Sequence, residues 1–266
     1  IVQNCIFLPL LASAAFLTES APAQLDLAQS DPPRPVLKIY GAEADDRLGS
    51  NHGAAEFGDV NGDGFPDLLV GAYRARPEGF ELTEAPGEAY ILYGESGATT
   101  RSWDLSQPVG SLGETRILAD EEKSPGELGF AAAAGDLNGD GLDEAIFSAP
   151  LVPFDGRPQA GEIFIIYGDS EKPGAPQGNG TTIDLADTQG GVTTHGETRV
   201  QGPDRAQVGF SLATGDVNAD GFEDLVLGAP FAFRDGSSAP GMVAVIFGQP
   251  GLPGNAAGNG SIVDLS

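Results

Sequence analysis

The stretch "GDVNGDGFPDLLVGA" at residues 58–72 decides the fold of this chain. It begins with acidic, amide and glycine residues and ends in a short apolar run that is typical of a strand. Three interpretations of its polar half are open: a calcium-binding loop, a phosphate-binding glycine loop and a tight hairpin turn.

The same stretch occurs twice more, as "GDLNGDGLDEAIFSAP" at 135–150 and "GDVNADGFEDLVLGAP" at 215–230. Short apolar segments accompany each copy in a constant order. They are found at 37–45, 87–94 and 102–106, at 115–123, 161–168 and 182–186, and at 198–206, 241–248 and 262–266. These segments are rich in β-branched and aromatic residues and are bounded by glycine, so each unit provides about four strands.

Four strands in each repeated unit predict an all-β fold, a β-propeller of four-stranded blades. A flat stack of sheets, a sandwich and a solenoid are the alternatives. The predicted blades are residues 36–110, 111–193 and 194–266. Propellers have about four to eight blades, so we expect these three to be part of a larger ring. Residues 24–35 contain "LDLAQ" at 25–29, which resembles the strand that ends each unit. We expect residues 24–35 to be a closing strand, which completes the last blade of the ring, and a linker.

Oxygen-bearing groups recur at positions 1, 3, 5, 7 and 9 of each polar loop, with glycine at position 6 for a turn with positive φ. The predicted metal ligands are Asp59, Asn61, Asp63, the Phe65 carbonyl and Asp67; Asp136, Asn138, Asp140, the Leu142 carbonyl and Glu144; and Asp216, Asn218, Asp220, the Phe222 carbonyl and Asp224. Hard oxygen donors of this number suit Ca²⁺. Mg²⁺ demands a tighter octahedron, and zinc prefers His and Cys. We therefore expect about three calcium ions, one in each loop.

The alternative interpretations of the loops explain less. An EF-hand requires a glutamate at position 12, where this chain has Val70, Phe147 and Leu227. A phosphate loop requires a lysine motif that is missing, and carboxylates repel phosphate. A plain turn explains the glycines, but not carboxylates that would repel one another by about 4 kcal/mol per pair at a surface-like dielectric. In the second loop Glu144 is one methylene longer than aspartate, so we expect a distorted site in which Asp143 substitutes.

The composition limits the possible partners. The 266 residues include 39 acidic and 13 basic side chains, for a net charge of -26, which argues against nucleic acid and anionic membranes. One cysteine excludes an intrachain disulfide framework. The apolar run at 5–17 is too short to span a bilayer. Because Ala21-Pro22-Ala23 follows it, residues 1–23 are predicted to be a secretory signal with a truncated basic region, a core segment being the alternative.

Two of the units resemble FG-GAP repeats of the integrin α-subunit N-terminal propeller and its bacterial relatives. The resemblance rests on "LGF" at 128–130 and "VGF" at 208–210, each followed by the acidic loop and by "AP". It implies calcium in hairpin loops on one face, a ligand or partner on the opposite face, an extracellular or cell-surface location and a ring of seven blades. The first unit departs from the pattern. No aromatic residue follows its matching glycine, and Tyr73 stands where Pro150 and Pro230 end the later units, so we expect blade 1 to pack differently.

No catalytic motif accompanies His52 or His195, and we expect both to be loop or core residues. A pair of catalytic carboxylates stays open as an alternative. Long insertions at 73–86, 151–160 and 231–240 carry Arg74, Arg76, Arg157 and Arg234, and are either partner-binding loops or plain surface loops. The sequence favours a secreted calcium-binding propeller that binds a protein or glycan in adhesion. The alternatives are a non-catalytic part of a larger extracellular hydrolase and a structural repeat array.

Overall fold

A computed structural model describes residues 36–49, 55–76, 85–97, 101–108, 110–123, 125–168, 181–186, 188–189, 192–193, 197–234, 239–250 and 261–266. The predicted signal segment at 1–23, the predicted closing strand and linker at 24–35, and both histidines lie outside these residues. No helix in the described ranges is long and apolar enough to cross a membrane.

Strands dominate the described residues, and a 3-10 turn at Glu121–Lys123 accompanies them. The strands are β1 (Leu37–Tyr40), β2 (Ala55–Gly58), β3 (Asp67–Ala72), β4 (Glu88–Leu92), β5 (Arg101–Asp104), β6 (Thr115–Leu118), β7 (Ala132–Gly135), β8 (Glu144–Ala149), β9 (Glu162–Ile166), β10 (Thr182–Asp184), β11 (Thr188–Gln189), β12 (Val192–Thr193), β13 (Thr198–Gln201), β14 (Ser211–Gly215), β15 (Asp224–Ala229), β16 (Met242–Ile246) and β17 (Ile262–Asp264). The predicted all-β class is confirmed.

Three sheets form the body of the fold. The first has the order β10-β6-β4-β3-β2, the second has the order β17-β13-β9-β8-β7, and the third contains β14-β15-β16. In the first two sheets, the four strands from the inner edge outward pair antiparallel, and the fifth joins parallel. The strands β1 and β5 form a separate parallel pair, and β11 pairs with β12. These sheets are the blades of the propeller.

The sheets do not coincide with the sequence units at 36–110, 111–193 and 194–266. The fourth strand of the first sheet, β6, comes from the second unit, and its fifth strand, β10, ends that unit. The second sheet takes β13 and β17 from the third unit in the same way. The first strand of the next unit, β6 or β13, pairs with the outer edge of β4 or of β9. The last strand of that next unit, β10 or β17, then pairs with β6 or β13, so it also lies on the preceding sheet.

Apolar side chains between successive sheets form the core. Strand β9 has all five residues buried, because one face packs towards the first sheet and the other towards the third. Trp103 is buried in the cluster between the first two sheets. Burial of each large apolar side chain stabilises the fold by roughly 1.5–3 kcal/mol, so neighbouring sheets hold one another in place.

A row of aromatic rings connects the units. The rings of Tyr73 and Phe130 have centroids 5.7 Å apart, those of Phe130 and Phe210 are 5.1 Å apart, and those of Phe210 and Phe231 are 6.3 Å apart. The first unit does differ from the others here. Tyr73, which replaces the proline of the later units, places its ring edge-on against the phenylalanine of the second unit.

Candidate metal centre

The three acidic loops occupy equivalent places in the three sheets. Each loop joins the innermost strand to the second strand: loop 1 (59–66) follows β2, loop 2 (136–143) follows β7 and loop 3 (216–223) follows β14. Position 9 of each pattern is the first residue of the second strand. The inner strands pack side by side, with β7 between β2 and β14, so the loops follow one another across the array.

The side chains at positions 1, 3 and 5 make the same hydrogen bonds in every loop. In loop 1, the Asp59 carboxylate accepts the N–H groups of Asp63 at 3.1 Å and Gly64 at 2.9 Å. The Asn61 amide oxygen accepts the Asp63 N–H at 3.0 Å, and its amide nitrogen donates to the Asp63 carboxylate at 3.1 Å. The structure thus brings these three side chains together.

Loops 2 and 3 repeat this pattern at Asp136, Asn138 and Asp140 and at Asp216, Asn218 and Asp220. The glycine at position 6 has a φ of 84°, 89° and 93° in the three loops, and this confirms the predicted positive φ. Asp63, Asp140 and Asp220 each accept the N–H group of the residue at position 7. The carbonyls predicted as ligands there belong to Phe65, Leu142 and Phe222.

The carboxylate at position 9 is buried beneath each loop and braces it. Asp67 accepts the N–H groups of Val60 at 3.0 Å and of Gly94 at 2.8 Å. Asp224 accepts the equivalent groups of Val217 and Gly248, both at 2.9 Å. This carboxylate therefore ties the loop to the end of the third strand of the same sheet.

Glu144 fills the same place as the two aspartates, although it is longer. It accepts the Leu137 N–H at 2.7 Å and the Asn138 amide at 3.2 Å, and the Gly168 N–H also donates to it. Asp143 does not substitute for it: its carboxylate accepts the Asp59 N–H of loop 1 at 2.8 Å. The expectation that Asp143 replaces Glu144 was wrong, because Asp143 is directed at the neighbouring loop.

Burial raises the pKa of two carboxyl groups at position 9, those of Asp67 and Glu144. Desolvation raises the pKa of Asp67 to about 6, against the lowering effect of the Gly94 and Val60 amides. Desolvation raises the pKa of Glu144 to about 8, and the nearby Asp140 and Asp136 carboxylates raise it further. A buried carboxyl group whose ionisation is disfavoured gains from a cation beside it.

The donor set of each loop fits calcium in chemical type: carboxylate and amide oxygens on one curled segment, with a further carboxylate below. In the ranges that the structure describes, however, no three acidic, histidine or cysteine side chains stand close enough together to hold a metal ion. An ion would therefore need the neutral oxygens at positions 3 and 7 and an inward movement of the carboxylates.

Position 8 connects consecutive loops, a role that the sequence analysis missed. The Asp143 N–H donates to the Asp59 carbonyl at 3.1 Å, and the Glu223 N–H donates to the Asp136 carbonyl at 3.2 Å. A Cβ on Gly135 would lie 1.9 Å from the Glu223 carboxylate, so the side chain of Glu223 lies directly over this glycine. The sequence carries one signal for this role: position 8 is acidic in loops 2 and 3 but is Pro66 in loop 1.

The arginines of the long insertions mostly make contacts within the chain. Arg157 forms two hydrogen bonds with Asp264, at 2.8 and 3.0 Å, and its guanidinium lies 4.9 Å from the centre of the Phe154 ring. Arg74 pairs with Glu127 at 3.3 Å. The segment at 151–160 is folded back on itself through two hydrogen bonds between Phe154 and Arg157. These two arginines therefore hold the units together.

Comparison with known proteins gives the same repeats. The FG-GAP repeat family matches residues 54–92, 128–166 and 208–246. The human phosphatidylinositol-glycan-specific phospholipase D is 29% identical over 198 residues, which cover 73% of this chain and 20% of that protein. Integrin alpha-5 of Xenopus laevis is 31% identical over 210 residues, covering 70% and 18%, respectively. The chain spans about a fifth of the length of these curated relatives.

Proposed function

Because this chain is an FG-GAP repeat protein whose repeats fold as propeller blades, we propose that it is a calcium-stabilised, ligand-binding module that acts outside the cell. The calcium proposal is supported above all by the identical hydrogen-bond pattern of loops 1, 2 and 3, each with a buried carboxylate at position 9. The proposed location rests on the apolar segment at 5–17 and the small residues after it.

Calcium would be held by the side chains at positions 1, 3, 5 and 9 and the carbonyl at position 7. In loop 1 these are Asp59, Asn61, Asp63, Asp67 and Phe65. A bound ion would supply charge that offsets the repulsion among the carboxylates. The chain's own contribution is to hold the loop closed through the amides of Asp63 and Gly64, and to fix position 9 through the amide at the end of the third strand.

Titration calorimetry on chelator-treated protein tests the proposal. We expect about three sites per chain, and one site fewer in each of Asp63→Ala, Asp140→Ala and Asp220→Ala. Asp204→Ala is the matched control, since this side chain is half exposed and lies outside the loops. The proposal fails if folded protein takes up no calcium, or if the control loses as many sites as the loop variants.

The proposed role of the propeller is to bind a protein or glycan, as in adhesion. Support comes from the similarity to integrin alpha-5 and from the net charge of -26, which disfavours nucleic acid as the partner. In this proposal the chain itself is not an enzyme. The face that carries loops 1 to 3 holds the ions, which leaves the opposite face and the insertions at 73–86, 151–160 and 231–240 for the ligand.

A second candidate function is favoured by the similarity to a phosphatidylinositol-glycan-specific phospholipase D. Here the chain would be the non-catalytic propeller of a larger extracellular hydrolase. The two candidates are separated by assaying the full-length protein for release of a phosphatidylinositol-glycan-anchored reporter from vesicles. Release favours the hydrolase. Retention of the reporter, together with binding of the protein to immobilised extracellular-matrix protein, favours adhesion.

A further inference from the structure

Loop 2 holds the first residue of loop 1 through two hydrogen bonds. The Asp143 N–H donates to the Asp59 carbonyl at 3.1 Å, and the Asp143 carboxylate accepts the Asp59 N–H at 2.8 Å. One residue therefore binds both polar groups of the Asp59 backbone. Asp59 is position 1 of loop 1, and its own carboxylate closes that loop by accepting the N–H groups of Asp63 and Gly64.

A side-chain contact accompanies these hydrogen bonds. A Cβ on Gly62, at position 4 of loop 1, would lie 2.5 Å from a methyl group of Leu142, so the Leu142 side chain covers this glycine. Leu142 is position 7 of loop 2. A Cβ on Gly58, just before loop 1, would lie 3.0 Å from the Asp143 carboxylate. Loop 1 is thus in contact with two consecutive residues of loop 2.

The residues that contact loop 1 lie among the predicted ligands of loop 2. Leu142 would contribute its carbonyl to an ion and Glu144 its carboxylate, and Asp143 stands between them in the chain. Three consecutive residues share two planar peptide units, so they do not move independently. Any ordering of loop 2 that fixes Leu142 and Glu144 therefore also fixes the two groups of Asp143 that hold Asp59.

Loop 3 contacts loop 2 in a related way. The Glu223 N–H donates to the Asp136 carbonyl at 3.2 Å, and a Cβ on Gly139 would lie 2.2 Å from the Phe222 ring. The carboxylates differ, because that of Glu223 lies over Gly135. Since β7 lies between β2 and β14, loop 3 makes this contact on the side of loop 2 that faces away from loop 1.

We propose that loops 1 and 2 bind calcium as a coupled pair, and that Asp143 is the positioning residue that couples them. This inference rests on the proposed calcium function and adds a dependence between two sites. When loop 2 is ordered, Asp59 is held where its carboxylate closes loop 1, so loop 1 has less conformational freedom to lose on binding. Linkage makes the effect reciprocal: each loop raises the affinity of the other by the same factor, typically about 5–150-fold.

Terbium luminescence at loop 1 tests the proposal. Tb³⁺ takes oxygen ligands as Ca²⁺ does, and it emits when a nearby tryptophan transfers energy to it. Phe65→Trp places this tryptophan at position 7 of loop 1, where the side chain is 39% exposed, and keeps the backbone carbonyl. The chelator-treated chain with this change is titrated with terbium, and the chain without it gives the background from Trp103. Displacement of terbium by calcium then gives the calcium affinity of loop 1.

Asp140→Ala, which removes a ligand from loop 2, should weaken metal binding at loop 1 at least about fivefold. Asp220→Ala removes the same ligand from loop 3 and should have a clearly smaller effect, because loop 3 acts on loop 1 only through loop 2. The exposed Asp204→Ala is the control and should leave the affinity unchanged. When Asp143→Ala is also present, Asp140→Ala should no longer change the affinity of loop 1. Asp143→Asn keeps an acceptor oxygen and should keep most of the coupling.

The outcomes separate the coupling from calcium binding itself. Equal affinities of loop 1 with and without Asp140→Ala overturn the coupling and leave the calcium proposal intact. A fivefold loss that persists beside Asp143→Ala overturns the role of Asp143. A folded Phe65→Trp chain without terbium luminescence overturns the calcium proposal and the coupling with it. Asp140→Asn keeps the acceptor for the Leu142 N–H, and it gives the same comparison if Asp140→Ala unfolds the metal-free chain.

Discussion

Glu144→Gln should change how the stability of the metal-free protein depends on pH. Glu144 is completely buried, and desolvation raises its pKa from the ordinary value of 4.5 to about 8. Between these values the folded chain holds a proton that the unfolded chain has released. The stability that this proton contributes is therefore fully present below pH 4.5 and is lost as pH rises towards 8.

The size of the effect follows from the pKa difference. A difference between 4.5 and about 8, at about 1.36 kcal/mol for each pKa unit, corresponds to roughly 5 kcal/mol. Asp67 adds a smaller loss that is complete near pH 6, because burial raises its pKa to about 6. Between pH 6 and pH 8, Glu144 therefore dominates, and the free energy of unfolding should fall by up to about 1.4 kcal/mol for each pH unit.

Glutamine has the same shape but does not titrate. In urea unfolding with chelator at pH 6, 7 and 8, the wild type should lose stability steadily, and Glu144→Gln should be nearly flat. Absolute stability is a weaker test, because glutamine accepts fewer of the hydrogen bonds from Leu137, Asn138 and Gly168, at about 1 kcal/mol for each that is lost. Asp204→Asn, at an exposed position, is the control and should follow the wild type. Parallel curves for wild type and Glu144→Gln would refute the reasoning.

Three further changes test other parts of the structure by urea unfolding. Arg199→Met should lower the free energy of unfolding by about 3–5 kcal/mol, because Glu197 and Glu162 remain buried without the guanidinium that pairs with them at 2.8 and 3.6 Å. The control Arg205→Met, at an exposed position, should lower it by less than about 0.5 kcal/mol. Asp143→Ala should cost about 1–2 kcal/mol, since the Asp59 N–H loses its acceptor, and Asp143→Asn should cost less; equal losses would contradict this. Ala219→Gly should raise the free energy of unfolding by about 0.5 kcal/mol, because Ala219 has a φ of 60°, which strains a residue with a Cβ. The control is Ala213→Gly in β14. If Ala219→Gly lowers the free energy of unfolding as much as the control does, the backbone strain at Ala219 is absent.

Local patterns predicted the strands and the loops correctly. The segments at 87–94, 161–168 and 241–248 contain β4, β9 and β16, and the three acidic loops lie between the strands that flank them. Runs of β-branched and aromatic residues, turn residues and the need for positive φ at position 6 are properties of neighbouring residues, so the sequence displays them directly.

Pairing between distant segments was not predictable from the same patterns. Strands β6 and β10 lie at the two ends of the second unit and pair in parallel at the outer edge of the first sheet. Nothing in either short strand specifies its partner. The role of Asp143 was missed because its acceptor atoms serve a loop 84 residues away. Local sequence gives a side chain's chemistry, whereas the sheet packing decides which backbone amide it meets.

The contacts between units indicate that the pair of neighbouring units, rather than the single unit, is the element of stability. Each following unit contributes to its predecessor a fourth strand, an inserted segment (128–130 or 208–210) and an acid at position 8 of the acidic loop. Nearest-neighbour coupling of this kind makes a repeat array fold as linked steps. An ion that orders loop 2 would also fix Asp143, and through it the Asp59 end of loop 1. Calcium at one loop should therefore strengthen the loop before it.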